Sequence, residues 1–168
     1  MALNPKLNVY VVTLNPKDKS SNPTYRDLFR TKYAVNTQVS DADVKKLFFK
    51  DFLNTIGTNT YRKDQKNKKV IGVSEYDNES HNSSLSLLSD RDVIEGIIDG
   101  GQYGVLRALA NVDDKENKTT LAADNAVLDK FYICLCTPYN SKYGFLFIQS
   151  YTEMSIQESI YSFIRDVL

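Results

Sequence analysis

Two runs late in the chain leave the fewest folding options open. Residues 131–136 (Phe-Tyr-Ile-Cys-Leu-Cys) and 145–151 (Phe-Leu-Phe-Ile-Gln-Ser-Tyr) are rich in aromatic and aliphatic side chains, and residues 137–144 between them include Pro138, Asn140, Ser141 and Gly144. Runs of this length bounded by turn formers read as strands joined in a hairpin. Apolar side chains at both parities predict that the pair is central in its sheet and covered on both faces.

A helix is predicted over residues 40–56, where Val44, Leu47, Phe48, Phe52 and Ile56 recur at three- and four-residue intervals. Ser40 can cap its first turn, Asp41 and Asp43 lie at its positive end, and Gly57 can supply a left-handed exit. Lys45, Lys46 and Lys50 fall off the apolar stripe and are expected to face solvent. A closing helix follows from the capping-box pattern Ser155-x-x-Glu158 and the stripe Ile156, Ile160, Phe163, Ile164 and Leu168. The chain reads as one domain over residues 1–168; with no stop signal after Leu168, the expectation is that it leads a longer protein, docks its last helix on a partner, or ends on a helix packed on the sheet.

The remaining segments are read from their punctuation. Residues 8–14 are β-branched and lie between Asn4-Pro5 and Asn15-Pro16, which makes a first strand. Residues 16–37 are polar, with a breaker at 20–23 and one helical turn around 26–33. A strand is expected at 69–75, a Ser/Asn-rich loop at 76–89 with an apolar turn at 85–88, and a polar connection at 111–117. Asp99-Gly100-Gly101-Gln102 suits a hairpin turn between residues 93–98 and 103–112, with a helix over 105–110 as the competing reading. A short helix is expected at 120–128. The order predicts an α+β fold: a largely antiparallel sheet with a central C-terminal hairpin, one mid-N-terminal helix and a closing C-terminal helix.

With 42% hydrophobic and 25% charged residues among 168, the chain has the profile of a soluble globular domain. No apolar run approaches the roughly 18 residues of a membrane helix, and the first residues lack the pattern of a secretory signal, so a cytoplasmic address and no membrane partner are expected. Cys134 and Cys136, two apart on one strand, are badly placed for a disulfide and read as buried small hydrophobes.

The formal charge of zero hides a split. Residues 1–70 hold fourteen bases and six acids, while residues 71–168 hold seven bases and fifteen acids. Such asymmetry points to nucleic acid, a charged surface or an acidic flank, unless the halves interleave their charges on folding. The densest block is Arg62, Lys63, Lys66, Lys68 and Lys69. Together with Lys45, Lys46 and Lys50 it forms the candidate anion site, with Tyr33 and Tyr61 available to stack on bases.

Other chemistries are thinly supported. His81 is the sole histidine, so neither a metal site nor a Cys-His nucleophile is expected. The glycines at 100, 101 and 104 lack the Lys-Ser/Thr ending of a phosphate loop, and no cofactor is expected. Asp92, Glu95, Asp99, Asp113, Asp114 and Glu116 with Lys118 supply the residue types of a metal-dependent nuclease, but in a polar connection rather than on a strand. The reading is therefore a non-catalytic binding module whose basic N-terminal half meets a polyanion, such as nucleic acid, or an acidic protein surface. The alternatives are a nucleic-acid-processing enzyme or its recognition domain, and a homo-oligomerising or structural domain that associates through the C-terminal helix.

Overall fold

The two late apolar runs lie next to each other inside a seven-stranded antiparallel sheet. The structure is a computed structural model that describes residues 4–15, 22–104, 107–111, 113–151 and 155–168. Its strands are β1 (Lys6–Thr13), β2 (Arg62–Asp64), β3 (Lys69–Val73), β4 (Leu85–Leu88), β5 (Val93–Gln102), β6 (Arg107–Asn111), β7 (Asp114–Leu121), β8 (Val127–Cys136) and β9 (Tyr143–Ser150). Its helices are α1 (Tyr25–Lys32), α2 (Asp41–Ile56) and α3 (Gln157–Val167). The sheet runs β1-β9-β8-β5-β3-β2, and β4 lies beside β3 on the same side of β5. β6 and β7 form a separate two-stranded hairpin. This is the α+β fold with a largely antiparallel sheet and a closing helix that the sequence predicts.

Local chemistry accounts for the helices. α1 is longer than the single turn expected, because Thr24 and Asp27 make a capping box: the Asp27 N–H donates to Thr24 Oγ1 at 3.3 Å and the Thr24 N–H to Asp27 Oδ2 at 2.9 Å. That backbone bond holds the Asp27 carboxyl below its ordinary range. α2 is capped by Ser40, whose Oγ accepts from the Asp43 N–H at 3.2 Å, and it ends on Gly57 at a φ of 101°. α3 starts without a side-chain cap, since its N-cap is Ile156 and Ser155 lies one residue too early for the expected box.

The core lies between one face of the sheet and the helices. Ile94, Ile98, Phe131, Ile133, Leu135, Leu146 and Ile148 point inward from the strands and meet Phe29, Phe48, Phe52, Ile160 and Phe163. Each such side chain contributes about 1.5–3 kcal/mol by leaving water. Stacked and edge-on rings continue the contact through Phe29–Phe48 and Phe52–Phe163, at centroid separations of 4.1 and 4.7 Å. Leu53 joins the buried stripe of α2, whereas Leu47 is exposed.

Several local expectations are overturned by long-range pairing. Asp99-Gly100-Gly101-Gln102 is no turn: β5 runs straight through it and pairs with β8 along its whole length. The glycines there serve close packing, since a Cβ on Gly100 would stand 2.7 Å from Ile156 Cγ2 and one on Gly101 would stand 2.3 Å from the Val127 carbonyl oxygen. The apolar turn at 85–88 is strand β4 on β5. The helix expected at 120–128 gives way to the end of β7 and the start of β8, and most of the polar connection at 111–117 belongs to the β6–β7 hairpin. The competing helix over 105–110 is replaced by β6 from Arg107, residues 105 and 106 being outside the described residues, as is the start of the breaker at 20–23.

Candidate interaction surface

Alternation along the strands divides the side chains between two faces. The even-numbered residues of β1, β5 and β9 and the odd-numbered residues of β8 turn toward the helices. The opposite parity lines the other face, where the register places Val11, Phe145, Cys136, Val93 and Leu88 in one row across five strands. A second row is Val9, Phe147, Cys134, Glu95 and Ser86. Among the described residues no helix covers these rows. Among the described residues, six of the nine exposed large hydrophobics (Leu7, Val9, Val11, Tyr61, Tyr143 and Phe145) lie on this face, at 41–63% exposure.

The expectation that the β8–β9 hairpin is covered on both sides therefore holds for one side only. Near β3 the outer face is closed by Tyr61, whose ring seats against Gly72 and whose hydroxyl donates to Asp99 Oδ2 at 3.2 Å. Toward β1 it is open. Its polar groups include Ser86, Gln149 and Glu95, and Glu95 accepts from the Tyr132 hydroxyl at 2.8 Å; burial and this bond hold the phenol well above its ordinary range. Cys134 and Cys136 are half-buried between these groups, and burial pushes both thiols above their ordinary value of 9.0. Burial of this kind disfavours the thiolate form.

The eight predicted anion-site residues do not form one patch. Lys45 is ion-paired with Asp92, donates to the Ser89 carbonyl at 2.9 Å and lies over the Tyr139 ring. Its side chain is 17% exposed, so it does not face solvent as the helix pattern implies. Lys46 pairs with Asp43 one turn earlier, and Lys50 is exposed on α2. Arg62 is ion-paired with Asp166 and lies over Phe163. Lys69 donates to the Ser155 carbonyl. Asp92 precedes β5 and Lys69 pairs with Gln102 at its far end, so Lys45 and Lys69 are separated by about 30 Å of strand.

What the fold does bring together is smaller. Lys63 and Lys68, on either side of the β2–β3 turn, place their Nζ atoms 5.9 and 5.8 Å from the centroid of the Tyr103 ring, with exposed Lys66 at the turn between them. Tyr103 takes the place that Tyr61 and Tyr33 had in the sequence reading. Tyr61 is on the outer sheet face, and Tyr33 donates to Asp51 Oδ2 at 3.0 Å, an arrangement in which burial raises its phenol further above the ordinary range.

No family model, curated protein or solved structure matches this chain. Its surfaces must be read from their own chemistry. Among the described residues no three His, Cys, Asp or Glu side chains gather as metal ligands. The carboxylates weighed for a nuclease are dispersed: Asp92 holds Lys45, Glu95 holds Tyr132, Asp99 holds Tyr61, and Asp114 and Glu116 lie on the β6–β7 hairpin. No helix of the described residues is long and apolar enough to cross a membrane. The apolar stripe of α3 is buried in the chain's own core, with Ile160 and Phe163 fully covered.

The residues that sequence reading passed over are Leu7, Val9 and Val11. Their signal was present, because β1 is apolar at both parities around Tyr10 and Val12; among the described residues β9 is its one pairing partner.

Proposed function

We propose that the chain is a non-catalytic interaction module that docks through the outer face of its sheet, and that the occupant is a second copy packed face to face. The observation carrying this reading is the apolar row Val11, Phe145, Cys136, Val93 and Leu88 with Val9, Phe147 and Cys134 beside it, since contiguous apolar patches beyond a few hundred square ångströms on a folded surface mark interaction sites. Five strands about 4.8 Å apart span about 20 Å, and an eight-residue strand runs about 27 Å, so the face measures on the order of 500 Å² before side-chain relief. That approaches the roughly 800 Å² per partner of a stable interface. The zero net charge leaves no overall repulsion between copies. Two such faces pack as aligned sheets about 10 Å apart.

Sedimentation velocity across a hundredfold concentration range tests the reading. A dimer is expected that dissociates in the Val9→Asp/Phe147→Asp double variant while the far-ultraviolet spectrum is retained. A chain that stays monomeric throughout, or a dimer indifferent to this pair, overturns it.

A second reading, contact of the basic hairpin with a polyanion or an acidic protein surface, is supported by the two lysines beside Tyr103. An aromatic face between cations suits an unpaired base flanked by phosphates. Binding of a single-stranded oligonucleotide is expected to weaken with salt at a slope set by about three phosphates, and to be lost in Lys63→Ala/Lys68→Ala. A slope near zero removes this reading.

A further inference from the structure

The two edges of the sheet are built differently. β2 is three residues long and consists of Arg62, Lys63 and Asp64, the short and charged form that discourages another strand from adding. β1 has eight residues, pairs with β9 through eight consecutive positions, contains no proline or glycine, and carries its one charge at Lys6. The Leu14 N–H donates to the Lys142 carbonyl at 3.0 Å. By the alternation of antiparallel pairs, the even-numbered residues of β1 bond to β9, and the N–H and C=O groups of Leu7, Val9, Val11 and Thr13 point to the free edge. No hydrogen bond to these edge groups occurs among the described residues.

Beside this edge, on the helix side, lies a groove of about 470 Å³. Tyr10, Leu28, Tyr161, Ile164 and Leu168 line it, with the Tyr10 and Tyr161 rings edge-on at 5.1 Å. Among the described residues, Arg165 is the one lining residue with a charged side chain, and it has no ion pair. The volume falls in the range of ligand pockets, about 300–1,000 Å³.

We infer that β1 and this groove take an extended segment of a partner protein as an added strand, with an apolar side chain seated in the groove and a carboxylate two residues along, on the same face, meeting Arg165. Main-chain bonds to β1 supply the affinity, and the groove reads every second side chain. Charge selects the occupant: β1 itself holds no Asp or Glu, so a second copy adding by its own β1 leaves Arg165 unanswered. The inference concerns the edge and is independent of dimerisation through the outer face.

The probe is a fluorescein-labelled peptide, Thr-Leu-Thr-Leu-Thr-Glu-Thr-Ser, whose leucines and Glu share one face of an extended strand, titrated with the full chain by fluorescence anisotropy. Saturable binding is expected, weakened at least fivefold by Arg165→Glu and recovered when the peptide Glu is replaced by Lys. Val9→Pro is expected to abolish binding with the fold intact, because the Val9 N–H faces the free edge and its loss breaks no bond within the sheet. The same peptide with alternate backbone nitrogens methylated tests the point without altering the protein, and its binding is expected to be lost. Equal affinity for the methylated peptide, or indifference to Arg165→Glu, overturns the inference. So does a dimer that Val9→Pro dissociates while Val9→Asp/Phe147→Asp does not, which assigns the edge to a second copy.

Discussion

Val11 and Phe145 stand directly opposite each other in the β1–β9 register, both on the helix-free face, at 63% and 41% exposure. One residue further along β9, Leu146 is 1% exposed on the opposite face. The same strand therefore contributes a core and an uncovered apolar surface.

Substitutions on the two faces should separate these roles. Val11→Thr/Phe145→Thr keeps strand-compatible residues at exposed positions and is expected to change monomer stability by less than about 1 kcal/mol while reducing self-association. Leu146→Ala is expected to cost about 2–5 kcal/mol, as for other buried leucines. Urea denaturation at low protein concentration, alongside sedimentation, checks both.

Gly100 lies where a turn is predicted and a strand is found, which makes it a test of the fold. Gly100→Ala brings a methyl against Ile156 and the Phe131 ring, at 2.7 and 3.0 Å, and is expected to destabilise by about 1–3 kcal/mol. Gly96→Ala should cost more. Its φ is +146° and its new Cβ would stand 2.0 Å from the Ser84 carbonyl oxygen, a backbone atom that cannot turn aside. Denaturation midpoints rank the pair.

Lys45 and Lys46 adjoin in sequence and differ in structure. Lys45→Ala strips the ion-pair partner from Asp92, whose side chain is 20% exposed and whose Oδ2 already accepts from the Tyr139 N–H, and should cost about 1–3 kcal/mol. Lys46→Ala opens a solvent-exposed pair with Asp43 and should leave the melting temperature unchanged. Thermal melts of the two variants side by side decide the point.

Asp41 anchors the start of α2 through Arg30, whose Nη2 lies 2.5 Å from Oδ1, and this bond holds the carboxyl below its ordinary value of 3.8. A depressed folded value contributes stability that is present above 3.8 and lost as pH falls through the folded value. Melting temperature should drop on that limb, and Asp41→Asn should flatten it while lowering the plateau at neutral pH.

At the alkaline end Tyr25 is the counterpart. Burial pushes its phenol from 10.0 up to about 12, and its hydroxyl donates to the Val12 carbonyl at 3.1 Å. With the folded value raised, the contribution is complete below 10.0 and is lost as pH rises toward about 12. Tyr25→Phe should make stability less steep in that window, as read by denaturation midpoints at successive pH values.

The sequence by itself determined the elements whose signals lie within one turn or one strand. α2 follows from its stripe, Ser40 and Gly57; β1, β8 and β9 follow from β-branched and aromatic runs between turn formers; and α3 follows from its apolar stripe. The α+β class follows from their order. These are interactions between residues close along the chain, and composition at short range is enough to specify them.

Tertiary structure decided the rest, because it depended on which distant residues became neighbours. Gly100 and Gly101 fit either a turn or a crowded strand until Phe131, Ile156 and Val127 arrive beside them. Lys45 and Arg62 look free in the sequence until Asp92 and Asp166, 47 and 104 positions onward, neutralise them. An apolar residue at either parity shows that a side chain avoids water; only the placement of α1, α2 and α3 on one side of the sheet assigns Val9 and Val11 to the other. Burial and pairing are properties of three-dimensional neighbours, and a linear pattern carries no record of them.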